Sequence, residues 1–326
     1  MEIFKTSDNK RQQILTESGT NEVEIIEFLL GQQSFGINVS KIREIVTYDR
    51  SNVTAIPDAY HSVIGMLLLR DATLPLVDLK RHMGIAKSVT EDARQVVLVC
   101  EFNKMVNGFL VDGVRQIHRC SWGDITPLSP FLSYYKPGIT SSITLDGKNI
   151  LMVDLEHIMV DIYPETKLVY SEKSVEAHTL DIAKRHHERE ETHIIFAEDS
   201  PIVRSSVRKV TDQAGYNQIT IFDNGLDTYM EIQKLAEKAK AKGVGIGEFV
   251  TAVLTDIEMP KMDGLTLCRK IKEDLRLTHL PVIMFSSLIN DQMILKCKSV
   301  GADGWADKLQ VEELIHVLDR FCVEKA

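Results

Sequence analysis

From His193 onward the sequence alternates, five times over, between a short apolar run and an amphipathic helical stretch, and few folds accept that order. His193–Ala197 leads into Pro201–Ala214, which Gly215 closes. Ile219–Phe222 leads into Leu226–Lys242, and Val250–Thr255 into Leu265–Leu275. Pro281–Phe285 leads into Asp291–Val300, closed by Gly301, and Gly304–Ala306 into Val311–Val323. Strands joined by helical crossovers run parallel, because the crossover returns the chain to the same end of the sheet. Five such units predict a doubly wound α/β domain, a five-stranded parallel sheet with helices on both faces.

The first half obeys a different grammar. Between Val23 and about Met159 the apolar runs are short, rich in Val, Ile and Leu, and punctuated by Gly, Asp, Asn and Pro. Strands are expected at Val23–Leu30, Phe35–Val39, Ile64–Leu69, Leu74–Val77, Val96–Glu101, Val106–Val111 and Ile150–Val153. Short helices are expected at Val39–Ile45, Asp78–Met83 and Asp154–Met159. That pattern specifies an all-β sandwich or barrel, and no convincing internal repeat stands out. The chain is thus multidomain, divided as 1–22 extension, 23–160 β domain, 161–192 linker and 193–326 α/β domain. The linker is charged and carries His178, His186 and His187. The two adjacent histidines point different ways on a helix, so solvated side chains are expected there rather than metal ligands.

The formal net charge of −9 argues against a nucleic-acid binder, which would carry a basic face, and against an anionic membrane surface as partner. Met1–Lys5 is followed by no apolar run of a signal peptide, and no apolar stretch is long enough to span a bilayer. A cytoplasmic protein without direct membrane insertion is expected. Its five cysteines are odd in number and include no C-x-x-C pair, so reduced thiols are expected.

Chemistry in an open parallel sheet sits at the carboxyl ends of the strands. Here those ends read Glu198-Asp199 after the first strand, Asp256 after the third, Ser286-Ser287 at the fourth and Lys308 after the fifth. Three carboxylates, a hydroxyl and an ammonium would converge on one edge. Closely packed carboxylates repel one another, and a hard divalent cation with oxygen ligands relieves this. Such an ion could hold phosphoryl oxygens on its open side, with hydroxyl and ammonium taking the others and one carboxylate left as nucleophile. Taken singly, each residue also has a plain structural reading: Ser200-Pro201 as a helix start, Asp256 as a turn, Lys308 as a surface lysine. The β half, by contrast, shows no catalytic triad, phosphate loop or metal spacing, which leaves a binding module.

The string Asp256-Ile-Glu-Met-Pro-Lys-Met-Asp-Gly264 resembles the phosphoacceptor segment of CheY-like response-regulator receiver domains, and the separations of Asp256, Ser286, Trp305 and Lys308 agree with it. The resemblance implies phosphorylation of Asp256. It implies Mg²⁺ held by Glu198, Asp199, Asp256 and the backbone carbonyl of Glu258. Ser286 and Lys308 would bind the phosphoryl group, and Ser286 and Trp305 would act as the switch pair. Three departures stand out. Glu198 replaces the commoner Asp, Leu309 replaces the usual Pro, and the segment Lys238–Glu248 lengthens the second helix and adds a loop expected to be flexible. A trans Lys308–Leu309 bond is expected, since cis costs about 2.5–4 kcal/mol before a residue other than proline. With no further domain after the last helix, output is expected through the N-terminal half.

That half is similar to the CheW family. Glu24-Ile-Ile-Glu-Phe-Leu-Leu-Gly-Gln32, the Val39, Ile42, Glu44, Ile45 pattern, Ile56-Pro57, Val63-Ile-Gly-Met-Leu-Leu-Leu-Arg70, Leu74-Pro-Leu-Val-Asp-Leu79, Gly108-Phe-Leu-Val-Asp112 and Leu151-Met-Val-Asp-Leu155 carry the likeness in order. It implies a double β-barrel that binds the histidine kinase CheA and the cytoplasmic tip of chemoreceptors. Arg70-Asp71 stands where the family has Arg-Gly, and an ion pair of Arg70 with Glu44 is expected. Asp112 and Asp154 are expected to serve only as turn and helix-cap residues. Together the halves resemble CheV-type chemotaxis coupling proteins, which implies a phosphorylation-regulated adaptor at receptor arrays rather than an enzyme. Two alternatives are a phosphate sink for CheA and an aspartyl-phosphate phosphatase. The latter's D-x-D motif continues with Thr where this chain has Pro260.

Overall fold

The computed structural model describes residues 19–70, 72–85, 95–102, 105–128, 138–145, 147–163, 187–287, 289–308 and 311–324. The bulk of the expected linker, Asp71 and the Lys308–Leu309 bond lie outside these residues. Two compact units divide between Asn21 and Glu22 and again between Lys167 and Leu168. No helix among the described residues is long and apolar enough to cross a membrane.

The first unit holds twelve strands among its described residues. In chain order they are β1 (Glu22–Leu30), β2 (Gln33–Asn38), β3 (Ile42–Thr47), β4 (Val53–Thr54), β5 (Val63–Leu69), β6 (Ala72–Asp78), β7 (Val96–Phe102), β8 (Met105–Val111), β9 (Gly113–Ser121), β10 (Thr126–Pro127), β11 (Ile139–Leu145) and β12 (Lys148–Val153). Helix α1 (Leu79–His82) follows β6, and α2 (Leu155–Ile162) follows β12. The strands form two six-stranded sheets, ordered β10-β11-β12-β2-β1-β9 and β4-β5-β6-β8-β7-β3.

These two orders are the same wiring twice. Each sheet has a two-residue edge strand, a hairpin, one parallel pairing (β12 with β2, β6 with β8) and antiparallel strands beyond it. A capped 3₁₀ turn precedes each short strand: Asp49 caps Arg50–Asn52 and Ser121 caps Trp122–Asp124. Each parallel strand ends in Val-Asp-Leu, Val77-Asp78-Leu79 and Val153-Asp154-Leu155. The Asp accepts a backbone hydrogen bond from Arg81 or His157 to start the helix. Gly36 and Gly108 sit opposite Met152 and Leu76 across the parallel pairs. A Cβ on Gly36 would lie 2.8 Å from Ile25 and Met152, and one on Gly108 2.9 Å from Val97. The likeness lies in wiring, a three-residue signature and two packing glycines, too sparse to read as a repeat along the chain.

Each sheet covers its own apolar core, one around Ile25, Ile143, Ile150 and Met152, the other around Leu67, Leu76, Val97 and Leu110. The expected helix at Val39–Ile45 is corrected. Only Val39–Lys41 turns, as a 3₁₀ helix, and Ile42–Thr47 pairs with β7 as a strand. Its burial alternates residue by residue, as a half-buried strand requires. β9 and β11 were absent from the sequence reading because Gly113–Ser121 and Ile139–Leu145 intersperse polar residues instead of forming an apolar run. Asp112 exceeds its expected turn role: its carboxylate accepts from Lys80 Nζ at 2.7 and 2.8 Å and from the Gly31 N–H at 2.6 Å.

The second unit is the expected α/β domain. Its strands are β13 (His193–Ala197), β14 (Gln218–Phe222), β15 (Ala252–Thr255), β16 (Val282–Ser286) and β17 (Gly304–Asp307). They are all parallel, in the order β14-β13-β15-β16-β17. Helices α3 (Pro201–Ala214), α4 (Gly225–Lys242), α5 (Gly264–Arg269), α6 (Asp291–Ser299) and α7 (Val311–Cys322) alternate with them. Beyond α5 the expected helix widens into a π turn at Lys270–Asp274. The inserted loop carries a 3₁₀ turn at Ile246–Glu248, and the ammonium groups of Lys238 and Lys242 lie over the Phe249 ring. Arg189, from the expected linker, is built into this unit. Its guanidinium pairs with buried Asp319 and donates to the Ala214 carbonyl at 2.8 Å.

Candidate functional site

The strand order makes β13 and β15 the switch point, where successive crossovers leave in opposite directions and a crevice opens at the carboxyl ends. Backbone hydrogen bonds hold those ends level: Glu198 N–H donates to Phe222 O at 3.0 Å and Asp256 N–H to Ala197 O at 2.9 Å. The Lys308 N–H reaches Ser286 O at 3.3 Å.

The side chains converge accordingly. Carboxylate oxygens of Glu198, Asp199 and Asp256 all lie within 4.8 Å of one another. Lys308 Nζ stands 3.0 Å from Glu198 Oε2 and 2.9 Å from Asp256 Oδ2. Glu198, Asp256, Ser286 and Lys308 are buried, Asp199 and Glu258 partly so. The Ile257 N–H donates to Asp256 Oδ1 at 2.7 Å and fixes that carboxylate. Gly264 lets α5 start against it, since a Cβ there would fall 2.0 Å from the Asp256 carbonyl oxygen. Trp305, on β17, is half-buried, and the Lys298 ammonium sits 5.4 Å above its ring.

Three carboxyl groups thus crowd around one ammonium. Burial pushes the Glu198 carboxyl well above its ordinary range; Lys308 opposes that, and Asp256 and Asp199 add to it. Glu198 Oε2 accepts no hydrogen bond despite its ion pair. A buried oxygen in that condition, in an all-oxygen set of three carboxyl groups, fits a hard divalent cation.

Sequence reasoning missed Arg204. From the second turn of α3 its Nη1 donates to the Glu198 and Asp199 carbonyls at 2.7 and 2.8 Å, holding the acidic turn in place. The only signal was a lysine or arginine one helical turn after the acid pair, and many helices carry one. In the first unit, Arg70 Nη2 lies 2.8 Å from Glu44 Oε2, at the hairpin between β5 and β6.

Comparison with known proteins gives the same division. A CheW-like domain matches residues 24–162 and a response regulator receiver domain residues 194–319. Chemotaxis protein CheV3 of Helicobacter pylori is 30% identical over 92% of this chain and 96% of its own length. CheV1 of the same organism is 25% identical over 95% and 96%. Chemotaxis protein CheW of Rhizobium meliloti is 32% identical over 41% of this chain and 86% of its own. With both domains in this order and a relative matched nearly end to end, the chain belongs to the CheV family of chemotaxis proteins, coupling adaptors with a phosphorylatable receiver domain.

Proposed function

We propose that the receiver takes a phosphoryl group on Asp256 from the histidine kinase CheA and that the CheW-like unit, docked on the kinase and on the cytoplasmic tips of chemoreceptors, passes that state to receptor arrays. The observation that carries this reading is the convergence of Glu198, Asp199 and Asp256 within 4.8 Å, with Lys308 Nζ at 2.9 Å from Asp256. Glu198, Asp199, Asp256 and the Glu258 carbonyl would hold Mg²⁺, which neutralises phosphoryl oxygens as they approach the acidic pocket. An Asp256 carboxylate oxygen attacks phosphorus, an O–P bond forms, and the bond from phosphorus to the donor breaks with its electron pair leaving on the donor. Lys308 exchanges part of its contact with Glu198 for a phosphoryl oxygen. Ser286 takes another oxygen and Trp305 turns behind it.

The test incubates the chain with phosphorylated CheA and Mg²⁺, wild type against Asp256→Asn, and follows label on the chain and receptor-coupled kinase activity together. Label on wild type alone, accompanied by a change in coupling, supports the reading. Label without any change in coupling favours a phosphate sink, and equal label on both proteins removes Asp256 from its role.

A further inference from the structure

The last residues of the N-terminal extension are built into the receiver. The chain up to Asn21 groups with the α/β unit, not with the strands that follow it. Gly19 is buried with φ of +74°. A Cβ there would lie 3.3 Å from Arg269 Nε and 3.4 Å from the Leu265 carbonyl oxygen, so this stretch rests on α5. Asn21 has φ of +63°, a left-handed backbone that asparagine accepts more readily than most residues. Its carboxamide meets the loop between β15 and α5 twice. Nδ2 donates to the Lys261 carbonyl at 3.2 Å, and Oδ1 accepts from the Asp263 N–H at 3.1 Å. These are the two backbone groups that a neighbouring strand would otherwise take.

That loop runs from Asp256 through Glu258 to the start of α5. Its near end is pinned by the Gly264 N–H, which donates to the Ile257 carbonyl at 2.9 Å. Its far end is Asp263, which caps α5 by accepting from the Thr266 N–H at 2.8 Å. Between them Lys261 has φ of +65°, and its Nζ stands 3.1 Å from Asp227 Oδ2. We propose that Asn21 is a positioning residue of the phosphorylation site: its carboxamide fixes the Lys261–Asp263 turn and through it the Glu258 carbonyl, which is a Mg²⁺ ligand in the reading given above, on which this role rests. Only Met259 and Pro260 separate Glu258 from Lys261. Both are buried, and the proline ring fixes its own φ, so a displacement at Lys261 is passed to Glu258 instead of being absorbed. Coupling of this kind is reciprocal: Mg²⁺ tightens the hold on Asn21 by the factor by which Asn21 tightens Mg²⁺. Glu22, the next residue, opens β1, so the receiver's hold on Asn21 is its hold on the chain that enters the CheW-like unit.

The test titrates Mg²⁺ into the full chain by calorimetry, comparing wild type, Asn21→Gly and Asp256→Asn. Glycine suits the left-handed backbone at position 21 and removes only the carboxamide. Asn21→Gly should bind Mg²⁺ about tenfold more weakly, as the loss of a group that orients a metal ligand does. Its labelling by a small-molecule phosphodonor should fall by a similar factor at limiting Mg²⁺ and return to the wild-type level at saturating Mg²⁺, a rescue that a misfolded receiver would not show. Hydrogen exchange at the Asp263 amide should slow about tenfold when the wild type takes up Mg²⁺ and stay fast in Asn21→Gly. Mg²⁺ affinity unchanged in Asn21→Gly but weakened in Asp256→Asn overturns the role of Asn21 and leaves the reading of the pocket intact. Affinity unchanged in Asp256→Asn, or a wild-type protein that takes up no Mg²⁺, overturns both.

Discussion

In the receiver, Glu198, Asp256 and Lys308 are each less than a tenth exposed and share one crevice, with more carboxylates than cations. In the CheW-like unit several carboxylates each have their own cation. Glu24 pairs with Arg119, Glu44 with Arg70, Asp112 with Lys80, and buried Glu27 with His118 and Arg115. Carboxyl groups packed around one ammonium suit a site that would take a cation and a phosphoryl group, whereas paired charges spread over a sheet suit a surface.

The largest expected effect removes the proposed phosphoacceptor. Asp256→Asn should lose phosphorylation on the order of a thousandfold or more, read as acid-labile label from a small-molecule phosphodonor with Mg²⁺. No substitution in the CheW-like unit should reduce that label directly. If Asp256→Asn retains substantial label, the receiver holds a second acceptor and the contrast between the halves is drawn at the wrong residue.

A packing change should come next. Gly264→Ala drives a Cβ into the Asp256 carbonyl at 2.0 Å, against backbone that cannot give way. A cost of about 3 kcal/mol or more should lower the receiver's melting transition on the order of 10 °C. Gly36→Ala meets side-chain atoms of Ile25 and Met152 at 2.8 Å, and Met152 can shift. It should cost the CheW-like unit about 1–2 kcal/mol. Scanning calorimetry of the full chain reads both. If Gly264→Ala moves both transitions equally, the units do not unfold separately and their comparison as independent bodies fails.

One carboxyl in each half should answer pH in the opposite sense to the other. The native Glu198 carboxyl lies above its unfolded value of 4.5, chiefly through burial. In metal-free protein the native state keeps a proton that the unfolded chain has released. That contribution is complete below 4.5 and is lost as pH rises through the raised native value. Asp112 lies below its unfolded value of 3.8; burial works against this, but hydrogen bonds from Lys80, Gly31 and Gln95 outweigh it. Its contribution is present above 3.8 and is lost as pH falls through the lowered native value. Melting in EDTA across about pH 3 to 7 should therefore show a Glu198 contribution to the receiver that fades upward and an Asp112 contribution to the CheW-like unit that fades downward, each read against its own variant. Glu198→Gln should remove the upward-fading part of the receiver's curve and Asp112→Asn the downward-fading part of the other unit's; a variant whose curve keeps the wild-type pH dependence would sink the assignment of that group.

The receiver was more legible than its partner for a physical reason. Strand–helix alternation fixes a parallel sheet, and a parallel sheet sends its strand ends to one edge, so Glu198, Asp199, Asp256, Ser286 and Lys308 could be brought together on paper. Arg204 could not, because what it grips is backbone carbonyl oxygen, which leaves no mark on residue type. In the CheW-like unit, β3 and β9 read poorly because one face of each is polar and the run is short. The duplicated wiring was hidden because backbone pairing, not side-chain identity, carries most of it. Val-Asp-Leu at Val77 and Val153 was visible throughout, but three residues without their shared setting, a parallel strand turning into a capped helix, do not announce a repeat.

The smallest expected effect tests the docking half at its most exposed ion pair. Arg70 is 77% exposed, and its bond to Glu44 is in competition with water. Arg70→Ala should cost the CheW-like unit less than about 1 kcal/mol in chemical denaturation, and a double-mutant cycle with Glu44→Ala should give a coupling of the same size. Arg70 also has φ of +56° at the tip of the hairpin, a left-handed backbone that burdens any residue with a Cβ. Arg70→Gly removes the pair and relieves the backbone, so its net effect on stability should lie near zero. The two variants therefore lose the same guanidinium while differing in stability. If binding to CheA or to receptor tips falls equally in both, the guanidinium acts at the partner, and the pair with Glu44 serves to aim it. If binding follows stability instead, falling in Arg70→Ala and returning in Arg70→Gly, the pair only holds the hairpin and the docking surface lies elsewhere on the unit.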